Sequence, residues 1–155
     1  MLTAQDNATL ARAHYDAYNR RDFDKGLSMV SDDVKWTNVA FDVTFTGRKG
    51  YREYLENWST AMPDSKVEIT KVIHGDEWTT VEFIGRGTHT GPLKGPQGTI
   101  SATQKKVDLK CCELLRIKDG QIVEARVYFD GATLLRQLGL MPQTPVQGQP
   151  VAAAR

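Results

Sequence analysis

Hydrophobic and polar residues follow two different periods along the chain. Apolar residues recur at helical spacing over residues 3–21 and again over 51–62, where Pro63 ends the pattern. A shorter amphipathic stretch follows Asp22, which is placed to cap it, and a short strand is predicted at 34–36. Beyond Pro63 the period changes to the alternation typical of β-strands. The pattern therefore predicts helices first and a sheet afterwards, which is an α+β organisation.

The second half of the chain carries the turn signals of an antiparallel sheet. Alternating segments flank the Gly and Asp at 75–76, which predicts one hairpin. Long strands predicted at 106–118 and 121–129 flank the Asp and Gly at 119–120, the strongest hairpin signal in the chain. Between the two hairpins, the Gly- and Pro-rich segment 91–98 is predicted to be a loop.

The whole pattern fits one compact domain. A chain of 155 residues is long enough to enclose a core and a ligand cavity. A curved antiparallel sheet wrapped on N-terminal helices forms a cone, and the bulky helix over 51–62 is expected to keep one end open as a pocket. We expect this domain to span residues 1–141, followed by a disordered tail over 142–155 that has no hydrophobic period.

Charge and composition narrow the classes of partner. The chain has 20 basic and 19 acidic residues and no basic stripe that could follow a phosphate backbone, so nucleic acid is not an expected partner. No apolar run reaches the length of a membrane span, and the N-terminus has no apolar signal region. We therefore expect a cytoplasmic protein with no membrane partner. Cys111 and Cys112 are neighbours, which fits reduced structural thiols and matches no metal site.

The junction between the last predicted strand and a short apolar helix carries the most informative acidic residue. Asp130 closes the strand over 121–129, and the helix that follows ends near Gly139 and Pro142. In one interpretation, Asp130 lies in a cavity where burial raises the pKa of its carboxyl group. In the other, it caps the helix by accepting hydrogen bonds from the first free amides. The local sequence does not separate the two.

The facing of the last strand bears on this choice, because its side chains form two interleaved rows. The apolar row is Val123, Ala125, Val127 and Phe129. The polar row is Glu124, Arg126, Tyr128 and Asp130. We favour a polar row that lines the cavity and an apolar row that packs against another subunit, which predicts a homodimer or a higher homo-oligomer. The alternative is a β-bulge that changes the facing before Asp130.

Short motifs occur in a fixed order between Ala8 and Leu140. They are Trp36-Thr37-Asn38, Phe45-Thr46-Gly47, Met62-Pro63-Asp64, Gly87-Thr88-His89-Thr90-Gly91, Asp119-Gly120-Gln121-Ile122-Val123-Glu124, Asp130 and Gln137-Leu138-Gly139. In this order the set resembles the SnoaL-like polyketide cyclases, or ester cyclases, of the nuclear-transport-factor-2-like superfamily. The resemblance implies a cone-shaped, cystatin-like fold around a cavity, and this fold carries many unrelated activities.

The resemblance also implies a chemistry for Asp130. At the matching position the cyclases have a cavity aspartate that acts as general acid and base in an intramolecular aldol ring closure. The implied enzyme needs no metal and no organic cofactor, and its substrate is a flat, mostly apolar polyketide or similar ester. Arg126 stands where the cyclases tend to have a large aromatic residue, which puts an ordinary polyketide substrate in doubt.

Several further side chains are candidates for the same site. His89 is placed either to hydrogen-bond a substrate carbonyl or to hold the neighbouring loop, and Asn38 either to orient a ligand or to complete the strand end. His14 is expected in the core, with a hydrogen-bond partner. The remaining substrate-binding candidates are Trp36, Tyr54, Trp58 and Phe83, as aromatic walls that serve equally well as ordinary core, together with Arg126 and Tyr128.

Two other functions remain open. The segment from Arg126 to Asp130 is also similar to the terminal motif of the limonene-epoxide-hydrolase relatives, which use two aspartates bridged by an arginine. Thr88 stands where the second acid would follow Arg86, so epoxide hydrolysis is the weaker enzyme hypothesis. The third possibility is a cavity protein that binds a small apolar ligand without catalysis.

Overall fold

The computed structural model describes residues 3–142, which form four α-helices and eight β-strands. In chain order they are α1 (Ala4–Asn19), α2 (Phe23–Ser28), β1 (Val30–Asn38), β2 (Val43–Thr46), α3 (Gly47–Ala61), β3 (Lys66–His74), β4 (Trp78–Thr88), β5 (Leu93–Gly95), β6 (Gly98–Ile100), β7 (Lys106–Lys118), β8 (Gln121–Phe129) and α4 (Gly131–Gln137). The predicted tail lies outside the described residues apart from Pro142. Within residues 3–142, no helix has the length and apolarity needed to cross a bilayer.

The N-terminal helices begin where their capping residues predict. Before α1, the Thr3 hydroxyl accepts a hydrogen bond from the Asp6 amide at 3.2 Å, while the Asp6 carboxylate accepts one from the Thr3 amide at 2.7 Å. Before α2, the Asp22 carboxylate accepts a bond from the Lys25 amide at 3.1 Å. Each cap satisfies amides that have no partner inside the helix. Helix α3 ends at Ala61, just before Pro63.

Six strands form one sheet in the order β2-β1-β8-β7-β4-β3. Neighbouring strands are antiparallel except β1 and β8, which pair in parallel. The hairpin between β7 and β8 turns at Asp119 and Gly120, whose φ angles of 50° and 76° are those of a type I′ turn. The strands predicted at 106–118 and 121–129 are therefore confirmed, and so is the α+β organisation.

Two parts of the architecture differ from the expectation. The segment predicted as a loop contains a small hairpin of its own, β5 with β6, because Gly98 has a φ of 127° that lets the chain reverse there. The strand predicted at 34–36 extends over the whole of β1 and pairs with β2. The strands β2, β5 and β6 are too short for an alternating hydrophobic pattern to identify them in the sequence.

The facing predicted for β8 is wrong. Ala125 and Val127 are buried and Phe129 packs against the core, whereas Arg126 and Tyr128 lie on the other face of the sheet. The helices cover the apolar row within the same chain, so it needs no second subunit to be buried. A register shift between Arg116 and Ile117 on β7 marks a bulge in β8 at Val123, but the bulge does not turn the polar row inward. The apolar row of β8 is therefore no longer evidence for an oligomer, and the oligomer stays a prediction.

Two groups of buried side chains hold the helices on the inner face of the sheet. One lies between α1, α3 and the central strands and includes Trp36, Tyr51 and Leu115. The other lies beneath α4 and includes Leu93 and Leu134. Burying a large apolar side chain stabilises the fold by about 1.5–3 kcal/mol relative to leaving it exposed. The two groups flank a cavity, and members of both form its walls.

Candidate active site

The cavity lies between helices α1 and α3 and the inner face of β4, β7 and β8. Its volume is about 100 Å³, which compares with about 150 Å³ for an apolar cavity that holds one benzene molecule. Its walls are mostly aromatic and aliphatic. The polar side chains that the chemistry can use are His14, Tyr15, Trp36, Tyr54 and Glu113. The cavity therefore suits a small, largely apolar molecule or one ring of a larger one.

Glu113 is the carboxyl group of this cavity. It is 1% exposed, and its Oε1 accepts a hydrogen bond from the Tyr15 hydroxyl at 2.8 Å. Burial raises the pKa of Glu113 to about 7, against the opposing influence of Tyr15 and Trp36. A carboxyl group with this pKa is present in both its acid and its base form at neutral pH. It is thus suited to take a proton and to return it.

Glu113 is not among the site residues predicted from the sequence, although the hydrophobic pattern contains a signal for it. On β7 the inward row reads Val107, Leu109, Cys111, Glu113, Leu115 and Ile117. A single charged residue inside an otherwise apolar row of a correctly predicted strand marks a buried carboxyl group, and such groups have perturbed pKa values.

The phenols around Glu113 stay protonated. Burial raises the pKa of Tyr15, Tyr51 and Tyr54 well above the usual value, and the nearby Glu113 carboxylate adds to the effect. The Tyr51 hydroxyl shares a hydrogen bond of 2.9 Å with Nδ1 of His14. Burial lowers the pKa of His14 to about 4, so this imidazole is neutral at physiological pH. The expectation that His14 is a hydrogen-bonded core residue is confirmed, and Glu113 supplies the ionisable acid of the cavity.

The indole of Trp36 adds an unusual donor to the wall. Its side chain is completely buried, and Nε1 has no hydrogen-bond partner within residues 3–142. The indole lies close enough to Glu113 and Tyr54 to lower the pKa of both groups, yet neither oxygen meets hydrogen-bonding geometry with Nε1. The cavity therefore has an indole N–H beside its carboxyl group that makes no hydrogen bond of ordinary geometry.

Asp130 lies outside this cavity. Its exposed side chain accepts a hydrogen bond from the Ala132 amide at 3.0 Å and another from the Thr133 hydroxyl at 2.7 Å. These bonds, led by that from Thr133, lower the pKa of Asp130 below its usual value. The expectation of a cavity carboxyl with a raised pKa is wrong at this position, because the free amides of α4 hold the side chain. The interpretation of Asp130 as a helix cap is confirmed.

His89 and Asn38 also lie outside the cavity. Nδ1 of His89 accepts a hydrogen bond from the Thr103 amide at 3.2 Å, and burial lowers the pKa of the imidazole. The Asn38 side chain accepts a bond from the Phe41 amide at 3.1 Å, in the turn that leads to β2. His89 thus joins the loop after β4 to the chain before β7, and Asn38 completes a strand end. Neither residue lines the cavity between the helices and the sheet, and their contact with a substrate stays a prediction.

The aromatic candidates divide between the two faces of the sheet. The predicted walls that line the cavity are Trp36, Tyr54, Trp58 and Phe83. Arg126 lies on the outer face, where it bonds Glu124 at 2.9 Å and covers the ring of Trp78 at 5.5 Å. Tyr128 is 40% exposed on the same face. These two positions are wrong as cavity residues, because the polar row of β8 points away from the helices.

The arginine required for an epoxide-hydrolase site is engaged elsewhere. Arg86 pairs with Glu68 and with Asp108, all on exposed positions. Thr88 donates through its amide and its hydroxyl to Asp64, at 2.8 and 2.9 Å. The arginine at this position therefore bridges no pair of cavity acids.

These features define a cone-shaped α+β domain with an acid-containing apolar cavity, and comparison with known proteins gives its family. A family model described as SnoaL-like polyketide cyclase matches residues 8–138. The chain belongs to this family. No curated protein matches the chain.

Solved structures support the same fold. AclR from Streptomyces galilaeus, provisionally assigned as a hydroxylase, has a TM-score of 0.76 at 22% identity, over 93% of this chain and 87% of its own. A provisionally assigned SnoaL-like polyketide cyclase from Jannaschia sp. CCS1 has a TM-score of 0.78 at 15% identity, over 89% and 94%. A provisionally assigned ketosteroid isomerase from Kribbella flavida has a TM-score of 0.63 at 16% identity, over 83% and 80%. At these identities the similarity concerns the fold.

Proposed function

We propose that the protein is a cofactor-independent cyclase that closes a ring in a small polyketide-like carbonyl compound by an intramolecular aldol reaction. The observation that carries the proposal is the Glu113 carboxyl group, buried in an apolar cavity with a pKa of about 7. The proposal moves the acid and base role from Asp130, whose pKa is lowered, to Glu113. Asp130 keeps the structural role of a helix cap.

The reaction needs one group that first accepts and then returns a proton. In its ionised form, Glu113 removes a proton from a carbon beside a carbonyl group. That carbon forms a bond to the carbonyl carbon of a ketone elsewhere in the same molecule, and the electron pair of the broken C=O π bond passes to oxygen. The protonated Glu113 returns its proton to this alkoxide. The product is an isomer of the substrate, and Glu113 ends in its starting state.

The surroundings of Glu113 support this use. An apolar cavity keeps water from competing for the proton and strengthens each remaining electrostatic interaction. The protonated Tyr15 hydroxyl holds one carboxyl oxygen in place. The family includes polyketide cyclases, and one structural neighbour is provisionally assigned as a ketosteroid isomerase. Ketosteroid isomerases also begin by removing a proton beside a carbonyl, with an acidic side chain as the base.

A second candidate is binding of a small molecule without turnover. The cavity volume of about 100 Å³ favours it, since a long polyketide chain would extend beyond this space. Epoxide hydrolysis has less support, because Arg86 is held by exposed carboxylates.

A short diketone tests the proposal without knowledge of the natural substrate. Heptane-2,6-dione closes by an aldol step to a six-membered hydroxyketone of the same mass, and NMR separates the two. We expect the purified protein to accelerate this closure, with kcat/KM rising as pH increases through about 7, where Glu113 ionises. The same samples in deuterated water report proton exchange at the carbon beside the carbonyl. Saturable binding of the dione with neither closure nor exchange would favour the binding protein over the cyclase.

A further inference from the structure

The N–H group of Trp36 is a buried donor on a closely packed ring. Nε1 has no partner within residues 3–142, although the side chain is completely buried. The ring centroid lies 4.5 Å from that of Tyr51, 5.6 Å from that of Tyr54 and 5.1 Å from that of His14. Packing on these rings prevents the indole from turning its N–H toward solvent. A buried donor without an acceptor costs free energy, which an acceptor in the cavity would recover.

Two other hydrogen-bonding groups near Trp36 are already paired with other side chains in the core. The Tyr15 hydroxyl already donates to Oε1 of Glu113, and the Tyr51 hydroxyl shares its hydrogen bond with His14. The Trp36 N–H lies near Glu113 and lowers the pKa of that carboxyl group, yet the contact does not meet hydrogen-bonding geometry. A molecule in the cavity that contacts both groups would meet a hydrogen-bond donor on one side and a proton acceptor on the other.

We infer that the Trp36 N–H binds the carbonyl oxygen of the substrate while Glu113 takes the proton from the neighbouring carbon. This inference rests on the proposed cyclase function and assigns the substrate class: an uncharged ketone or ester, whose oxygen accepts the indole hydrogen bond. A hydrocarbon of the same shape leaves the N–H unpaired. A carboxylate or phosphate would place a second negative charge beside ionised Glu113, which the apolar walls do not screen.

The same bond favours the reaction. When the proton leaves carbon, negative charge develops on the carbonyl oxygen, and a donor already aimed at that oxygen becomes a stronger partner in the transition state. The indole keeps its own proton throughout, because it only donates a hydrogen bond. Trp36 is therefore a catalytic residue as well as a determinant of specificity.

Two probes of matched shape test the assignment by binding alone. Cyclohexanone has the carbonyl oxygen, and methylenecyclohexane replaces it with a CH₂ group; neither can close a ring. The chain has three tryptophans, so the indole N–H signals in a ¹H–¹⁵N NMR spectrum are few. The signal missing from Trp36→Phe identifies Trp36. Trp78→Phe is the matched control, since Trp78 lies under Arg126 on the outer face and does not line the cavity.

We expect cyclohexanone to move the Trp36 signal downfield and methylenecyclohexane to leave it near its starting position. Wild-type protein should bind the ketone about tenfold more tightly than the hydrocarbon, since one buried donor is paired only by the ketone. Trp36→Phe should lose this preference and Trp78→Phe should keep it. The comparison measures binding and needs no turnover, so a failure of the catalytic proposal leaves this result intact.

Three outcomes would overturn the inference. The first is a Trp36 signal that ignores cyclohexanone. The second is a signal that follows only the ionisation of Glu113 with pH, which would make Glu113 its partner. The third is a ketone preference that survives in Trp36→Phe. If Trp36→Phe does not fold, the signals missing from Trp58→Phe and from Trp78→Phe assign the Trp36 signal by elimination, and the two probes are compared on that signal in wild-type protein.

Discussion

Two carboxyl groups of this protein, one on β7 and one just after β8, have pKa values that are shifted in opposite directions. Glu113 lies in the middle of β7 on the inner face and is 1% exposed, with a pKa raised to about 7 by burial. Asp130 follows the end of β8, is exposed, and has a pKa lowered by hydrogen bonds from α4 and Thr133. The strands pair in register, with Glu113 opposite Val127, only three residues before Asp130.

The difference shows which positions in this fold can supply a base. At the end of a strand that turns directly into a helix, the free amides of the first turn hold a carboxylate and weaken it as a base. In the middle of a strand under helices, a carboxyl group meets few donors and little water, so its neutral form persists to higher pH. An acid's position relative to the helix N-terminus therefore matters as much as its nearness to the cavity.

The largest expected effect is on turnover and distinguishes the two carboxyl groups directly. Glu113→Gln keeps the shape of the side chain but removes the ionisable group, so turnover of the diketone should fall by at least about a hundredfold. Asp130→Asn removes the other ionisable group and keeps a good helix cap. Turnover by Asp130→Asn should stay close to wild type. Loss of turnover in Asp130→Asn with full activity in Glu113→Gln would reverse the assignment made here.

The second effect is on stability and follows from the sign of the Glu113 shift. The folded protein keeps the Glu113 proton up to pH about 7, whereas the unfolded chain releases it near the ordinary glutamate pKa of 4.5. Between these values the folded state binds more protons, so this group's contribution to stability falls as pH rises. Gln has no such dependence. The unfolding free energy of Glu113→Gln relative to wild type should therefore rise by about 3 kcal/mol from pH 4.5 to 7.

Chemical denaturation at a series of pH values checks this, with Glu82→Gln as the matched control. Glu82 is exposed on β4, so its replacement should show no comparable rise. His14, whose pKa is lowered to about 4, is present in both proteins and its contribution cancels in the difference. A constant difference between Glu113→Gln and wild type across this range would mean that Glu113 titrates as an ordinary surface carboxyl group.

Much of the fold could be predicted because its signals are local. The capping box of Thr3 and Asp6, the turn at Asp119-Gly120 and the alternation along β7 and β8 each depend on a few neighbouring residues. The facing of β8 is not local. Its two rows alternate equally well, and only the helices packed on one face decide that Val127 is buried and Arg126 is not.

The candidate site was harder to predict for the same reason. Trp36, Tyr54, Trp58 and Phe83 could be proposed as walls from residue type and predicted element. The acid could not be chosen by resemblance at one position, because Asp130 matches the family pattern while its side chain serves α4. A row that is apolar except for one charge identifies Glu113 only once that row is known to face the helices.

The smallest expected effect is the removal of the Asp130 cap. Asp130→Ala leaves the Ala132 amide and the Thr133 hydroxyl without their acceptor, and α4 packs on the core through Leu134. The unfolding midpoint should fall by a few degrees, while Asp130→Ser, which restores an acceptor, should recover most of the loss. Calorimetry of the two variants at neutral pH makes the comparison. An unchanged midpoint in Asp130→Ala would show that the cap contributes little, and the hydrogen bonds of Asp130 would then not explain the acid at this position.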